Sequence, residues 1–301
     1  CALTPDRPRQ QNSESLDGFF RATGEGVLNQ EPTSRPVPPR LYKYQPFTER
    51  TLTNLNRREV WFARPETFND PFDCALALRI EDPSDEELLR QLELYQEALG
   101  DRALDPVAAG YLDAEGRPTA DFKDRVVGAA AEQLQGKAQE NRTARGVTCF
   151  SEEPDDLLLW AHYGAGHRGF CLEFDTNTEL FRKALPVRYD DGLPALNIVQ
   201  ALEGTAPVDW MADVLTKARC WSYEREWRVI HVEPDRPFTY DWRALTAVDF
   251  GAAMDDARTE VIALTLAGAP TRLFTFRHRT DTFALEAASI EYTPYDYQAN
   301  A

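Results

Sequence analysis

The feature that most constrains this chain is a series of short runs dense in aromatic and β-branched residues, without the regular alternation with long helices that a parallel sheet requires. LYKYQPF, EVWFARP, GVTCF, RGFCLEFD, PVRYDD, ARCWSYEREWRVIHV, EVIALTL and ALEAASIEY all read as strands. Between the first two, TERTLTNLNRR suits a short helix, and FNDPFD supplies a tight turn, because Asn and Asp bend back onto their own backbone and Pro71 fixes its dihedral. Further helices are expected after Ser84, with Glu87 completing a capping box, and through Asp121–Asn141. Others are expected from Pro154 through LLLWAHYG, around 195–217 and over 252–259. The sum is an α+β chain: a mixed, mainly antiparallel sheet core with an inserted helical segment. Residues 1–38, rich in Pro, Gln, Ser and Arg, read as a flexible tail. Residues 39–301 read as one α+β domain in which 81–145 form the helical insertion.

Composition narrows the function. With 43% hydrophobic and 28% charged residues among 301, the chain has enough apolar surface for a large core. The formal charge of -17 argues against non-specific binding to nucleic acid or anionic lipid, which reward clustered Lys and Arg. Residues 81–140 hold fifteen acids and six bases, whereas 39–80 hold seven bases and five acids, so the acidity lies away from the densest motifs. No apolar run approaches the ~18 residues of a membrane span, and a cytoplasmic location is expected. Cys1 in place of methionine fits a trimmed or processed chain, or a lipidated mature end. Five separated cysteines without a C-x-x-C pair indicate neither a zinc site nor a disulfide framework.

Three patches combine rings with polar groups. Read as a strand, WSYEREWRVI puts Glu224, Glu226 and Arg228 on one face and Trp221, Tyr223, Arg225 and Trp227 on the other. Arg228 then holds Glu226 ionised, while Glu224 is less constrained. The plainer account is a solvated strand face with ordinary ion pairs. DDLLLWAHYG carries Trp160, His162 and Tyr163 on a helix. A lone helical histidine is usually structural, and with His167 five residues on and no H-E-x-x-H, no metal is expected. In WFARPETFNDPFDC, Asn69 and Asp70 are explained by the turn, but Lys43 and Arg64 beside Tyr44 and Phe62 would also receive a phosphorylated aromatic compound.

Taken in order, LYKY, WFARPETFNDPFDC, CFSEEPDDLLLWAHYGAGHRGFCLEFD and KARCWSYEREWRVI, spanning about residues 40–235, resemble the bacterial domain-of-unknown-function 2971 (DUF2971) family, often met near phage-defence genes. A second resemblance is to ADP-ribosyltransferases: L-Y-K, a short helix, a strand ending in F-x-x-P and a late strand bearing glutamate. Lys43 stands where those enzymes usually carry histidine or arginine.

That second resemblance implies an ADP-ribosyltransferase-like fold and an NAD-consuming enzyme that modifies nucleic acid or protein, in phage defence or as a toxin. NAD is then the substrate and the acceptor is open. Glu226 would be the catalytic carboxylate stabilising the ribosyl cation, with Glu224 toward the acceptor. The resemblance carries over only Lys43, Tyr44, Phe62, Arg64 and Glu226; the first four, joined by Tyr223 and Arg228 of the late motif, would bind the dinucleotide. Asn69, Asp70, Ser151, Trp160, His162 and Tyr163 would contact substrate or support the site. The whole reading requires Glu226 and Lys43 to meet across one crevice. Two alternatives compete with it. In a metal-dependent nuclease, Asp70, Asp73, Glu224 and Glu226 would hold Mg²⁺. In a non-enzymatic defence sensor or regulatory binding protein, the rings are interface or core.

Overall fold

The structure, a computed structural model, describes residues 35–74, 79–100, 104–128, 131, 143–193, 195–197, 211 and 214–293. Its centre is an eight-stranded sheet ordered β14-β13-β12-β5-β1-β4-β10-β6. The strands are β1 (Arg40–Gln45), β4 (Gly146–Ser151), β5 (Phe170–Asp175), β6 (Leu185–Pro186), β10 (Glu226–His231), β12 (Leu245–Phe250), β13 (Arg272–His278) and β14 (Leu285–Ile290). Neighbours run antiparallel except β12 and β13, which are parallel, so the sheet is mixed and mainly antiparallel as its short strands imply. The last sixty or so residues supply three of the eight strands and complete the sheet. Smaller pairs join β2 (Glu59–Phe62) to β11 (Arg236–Thr239), β3 (Arg79–Glu81) to β8 (Ala195–Asn197), and β7 (Arg188–Asp190) to β9 (Thr216–Ala218). No helix among the described residues is long and apolar enough to cross a membrane.

Helices begin where side chains satisfy their first amides. Thr48 and Thr51 form a reciprocal cap on α1 (Glu49–Arg57), and Ser84 and Glu87 do the same for α2 (Asp85–Leu99). Asp156 accepts from the amides of Leu158 and Leu159, so α3 (Leu157–His162) starts three residues later than Pro154 implied. Asp255 caps α4 (Asp256–Thr265), which overturns the reading of EVIALTL as a strand: the cap and the burial of Ile262 and Ala263 outweigh the β-preference of Val261, Ile262 and Thr265. Residues 120–128 are helical, and the remainder of the expected Asp121–Asn141 helix falls almost wholly outside the described residues. Of the helix expected around 195–217, Met211 and Val214 are helical, β8 and β9 stand at its two ends, and 198–210 and 212–213 lie outside the described residues. Order already includes residues 35–38, ahead of the expected start near Arg40: Val37 packs on the core and the Pro38 carbonyl accepts from Thr176 Oγ1 at 2.5 Å.

Directly paired residues on adjacent strands share a face, so register carries a face across the whole sheet. Glu226 opposes Ser151, Ser151 opposes Tyr42, Tyr44 opposes Cys171, and Cys171 opposes Asp249. The other face carries Leu41, Lys43, Phe150, Leu172, Phe174, Trp227, Val229, Val248 and Phe250, most of them in the main hydrophobic cluster with Leu55, Phe62, Tyr240 and Ile262. The first face is covered by α3 and the segment preceding β10, and it holds the buried carboxylates Glu226 and Asp249 and the buried Arg228.

Candidate functional site

The segment Arg219–Glu224 is a 3-10 helix, which corrects the reading of WSYERE as a strand. It ends at Arg225, whose φ of 43° places it in the left-handed region and turns the chain into β10 at Glu226. The turn delivers Glu224 from outside the sheet, and the strand delivers Glu226 from within it, to the same amine. Lys217 on β9 donates to Glu224 Oε2 at 2.5 Å and to Glu226 Oε2 at 3.2 Å. β9 is placed by pairing with β7, whose Tyr189 accepts the Glu226 amide proton at its hydroxyl at 2.8 Å.

Arg228, fully buried, completes the network. Its Nε and Nη2 grip both oxygens of Glu226 at 2.7 and 2.9 Å, Nη2 also reaches Asp73 Oδ2 at 2.7 Å, and Nη1 donates to the Val214 carbonyl at 2.6 Å. Asp73 is brought there by the tight turn in FNDPFD, in which Asp70 Oδ1 accepts from the Phe72 amide at 2.9 Å. Lys217 also stands 3.5 Å from Asp73. All these side chains are buried, so each charge must be matched within the protein.

Three acids face two bases, and the odd acid is Glu224. Burial alone would raise the Glu226 carboxyl, but Arg228 and Lys217 overcome it and hold its pKa at about 2. Burial raises Glu224 too, Lys217 offsets this in part, and the neighbouring Glu226 adds to the rise, leaving it above the usual carboxylate range. Lys217 moves against the effect of burial: Glu226, Glu224 and Asp73 hold its amine protonated. Two glutamates two residues apart are thus set to opposite protonation tendencies, the pattern that separates a fixed anion from a proton-exchanging group.

Glu224 is also the acid joined to the outer residues Tyr163 and Asn69. Tyr163, at the end of α3, donates to Glu224 Oε1 at 2.7 Å, and the exposed Asn69 donates to the Tyr163 hydroxyl at 3.3 Å. Ser151 Oγ fixes the backbone, donating to the Glu224 carbonyl at 2.7 Å. Above them the half-buried Trp221 and Tyr223 and the exposed His162 have ring centroids 6.0 to 6.4 Å apart, and Lys217 Nζ lies 4.9 Å from the Trp221 ring centre.

The structure therefore brings together Glu224, Glu226, Arg228, Tyr163, Tyr223, His162, Asn69 and Ser151. It does not bring Lys43 to them. Lys43 stands on the opposite face from Glu226, its Nζ donating to Thr148 Oγ1 and the Cys149 carbonyl, both at 3.0 Å, and lying 5.1 Å from the Phe150 ring centre. The single crevice shared by the acid at 226 and the lysine at 43 is not formed, because neighbouring strands place them with opposite parity. Phe62 is core. Arg64 pairs with Asp235 at 2.7 Å. Tyr44 and Trp160 pack edge to face at 5.1 Å in the interior, with the Tyr44 hydroxyl on the Glu153 carbonyl, so neither presents a stacking surface.

For a divalent cation, Asp73 and Glu226 are already engaged by Arg228 and Lys217, and Asp70 caps its own turn. Among the described residues no group of three or more His, Cys, Asp and Glu is arranged to hold a metal ion. Lys217 and Trp221 are the site residues sequence reasoning missed. The only signal was that Lys217 opens the motif KARCWSYEREWRVI.

A family model described as protein of unknown function (DUF2971) matches residues 159–229. The resemblance to that family is thus shown over the stretch holding Tyr163, Lys217, Glu224, Glu226 and Arg228. No curated protein and no solved structure matches the chain.

Proposed function

We propose that this DUF2971 chain is an enzyme of glycosidic-bond cleavage or transfer on a nucleotide substrate, NAD being the first to test, and that Glu224 is its catalytic carboxylate. The observation that carries the reading is one buried carboxyl held between Lys217 Nζ and Tyr163 Oη, with that same amine 4.9 Å from the centre of the Trp221 ring, which clusters with Tyr223 and His162. Three rings of this kind suit a flat cationic pyridinium, which favours an aromatic face. Its departure breaks the bond from ribose C1′ to the ring nitrogen, which keeps the electron pair, while positive charge spreads over the ribose. Glu224 then takes the proton of the attacking water or acceptor hydroxyl, a task for a carboxylate whose basicity burial raises above its ordinary value. Glu226, gripped through both oxygens, acts as the fixed anion that positions Lys217 and Arg228. This exchanges the roles expected for the two glutamates and drops Lys43, Tyr44 and Phe62 from substrate binding.

Incubation of the full chain with NAD, with nicotinamide release followed by mass spectrometry, tests it. Glu224→Gln is expected to lower turnover at least about 100-fold while leaving NAD affinity within about tenfold. No release by the wild type under any acceptor, or equal release by Glu224→Gln, defeats the assignment. The burial of Glu224 favours one other reading, in which the rings bind a regulatory ligand without turnover. NAD or a relative would then bind, lose affinity in Trp221→Ala, and be recovered unchanged.

A further inference from the structure

The base in that reading already carries a hydroxyl. Glu224 is 3% exposed and both of its oxygens are engaged, Oε2 by the Lys217 amine at 2.5 Å and Oε1 by the Tyr163 hydroxyl at 2.7 Å. An attacking water or foreign hydroxyl has to displace one of these two donors before Glu224 can take its proton. Lys217 is buried, stands beside Glu226 and Asp73 as well, and is held protonated against its burial by the three acids, so it is locked in place. Tyr163 occupies the position an acceptor needs.

Tyr163 is also the side of Glu224 that leads to the surface: it is half-buried, and its hydroxyl meets the exposed Asn69 amide at 3.3 Å. Its backbone is pinned at the end of α3. The Tyr163 amide donates to the Leu159 carbonyl at 2.8 Å, and the next residue, Gly164, lies so close to Trp160 that a Cβ there would meet the ring at 2.5 Å. The Tyr163 ring stands 6.2 Å from that of His162, one of the three clustered rings. Burial and then Glu224 push the phenol's pKa up, so at rest it stays protonated and donates to Oε1. Among the described residues no other hydroxyl donates to the Glu224 carboxyl: Ser151 Oγ donates to its backbone carbonyl, and the Tyr189 hydroxyl accepts from the Glu226 amide.

We propose that Tyr163 is itself an acceptor, so that the protein transfers the ADP-ribosyl group of NAD onto its own Tyr163 Oη. The proposal rests on the glycosidic chemistry assigned to Glu224. The bond from C1′ to the pyridinium nitrogen breaks and nicotinamide leaves with the electron pair. A bond forms from Tyr163 Oη to C1′, and the phenolic proton passes to Glu224 Oε1. The positive charge of the pyridinium and the negative charge of the carboxylate disappear together, and nothing is oxidised or reduced. An acceptor seated on the base in advance outcompetes a dissolved one, because well-oriented intramolecular groups reach effective concentrations of about 10⁵ M or more.

Incubation of the full chain with NAD and no added acceptor, followed by peptide mapping with fragmentation in the mass spectrometer, tests it. The expected result is one ADP-ribosyl group on Tyr163, stable to neutral hydroxylamine. Glu224→Gln is expected to lower both this mark and nicotinamide release at least about 100-fold, and Tyr163→Phe to leave the chain unmarked. Nicotinamide released while the wild-type chain stays unmarked, or is marked elsewhere, overturns the acceptor assignment and leaves the role of Glu224 standing. A hydroxylamine-labile ester on Glu224 overturns it too, since the carboxylate is then the nucleophile. No release under any acceptor defeats the reading of Glu224 and this inference with it. Mapping the wild-type chain locates the mark directly, so the outcome does not depend on Tyr163→Phe folding.

Discussion

The two faces of the central sheet solve the same burial problem in opposite ways. One packs Phe150, Phe174, Trp227 and Phe250 against α1, α4 and β2, and the lysine among them, Lys43, is kept by a hydroxyl and a carbonyl. The other buries Asp73, Glu224, Glu226, Lys217 and Arg228, all locked to one another, with Asp249 farther along the same face. The apolar face gains from area removed from water and tolerates adjustment. The polar face holds only while every charge keeps its partner, and a face of that kind is where chemistry can be placed.

Four measurements break or sharpen that contrast, in falling order of effect. Arg228→Met strands Glu226 and Asp73 in the interior and is expected to cost about 5 kcal/mol in denaturant unfolding. A loss below 1 kcal/mol would mean the network opens to water. On the apolar face, Phe174→Ala leaves a cavity beside Phe181 and Tyr240 and should cost about 4 kcal/mol, with the acid–base network intact by the pH profile of stability.

The pH profile itself separates two carboxylates on the polar face. Glu226 is depressed from 4.5 to about 2, so its contribution of about 3 kcal/mol is present above pH 4.5 and disappears as pH falls through 2. Asp249 is raised from 3.8 to about 7, so its share runs the other way: the fold is most favoured below pH 3.8, and that advantage is lost as pH rises through 7. Stability should therefore peak near pH 4 to 5. Asp249→Asn should flatten the limb from 4 to 7 and leave the acid limb unchanged; Glu224, also raised, contributes to the same falling limb. Smallest of all, Lys43→Met should change stability by less than about 1 kcal/mol and leave nicotinamide release untouched, since the lysine stands among apolar neighbours across the sheet from the site. Loss of turnover there would restore the lysine to the site and undo the division of the two faces.

Much of the architecture was legible because it rests on local chemistry. Capping pairs such as Ser84 with Glu87 announce a helix, FNDPFD announces its turn, and the alternation from Glu226 to Arg228 puts acid and base side by side. Where short-range preference is ambiguous the reading failed. EVIALTL is β-branched enough to look extended, yet Asp255 and the packing of Ile262 make it α4, while β12 and β13 passed unrecognised in the sequence. The site divides along the same line: Glu224, Glu226, Arg228 and Tyr163 share dense motifs, but Lys217 is a single lysine with no pattern around it.

By itself, then, the sequence determined which residues carry charge and rings, where turns and caps fall, and that short strands must pair mainly antiparallel. Only the tertiary structure decided which strand lies beside which, and hence which parity faces which layer. Pairing β1 between β4 and β5 sends Lys43 into the apolar layer, and pairing β9 with β7 brings Lys217 to two glutamates. Strand register is a long-range property: shifting a strand by one residue exchanges its two faces, and no stretch of neighbouring side chains records which choice is made.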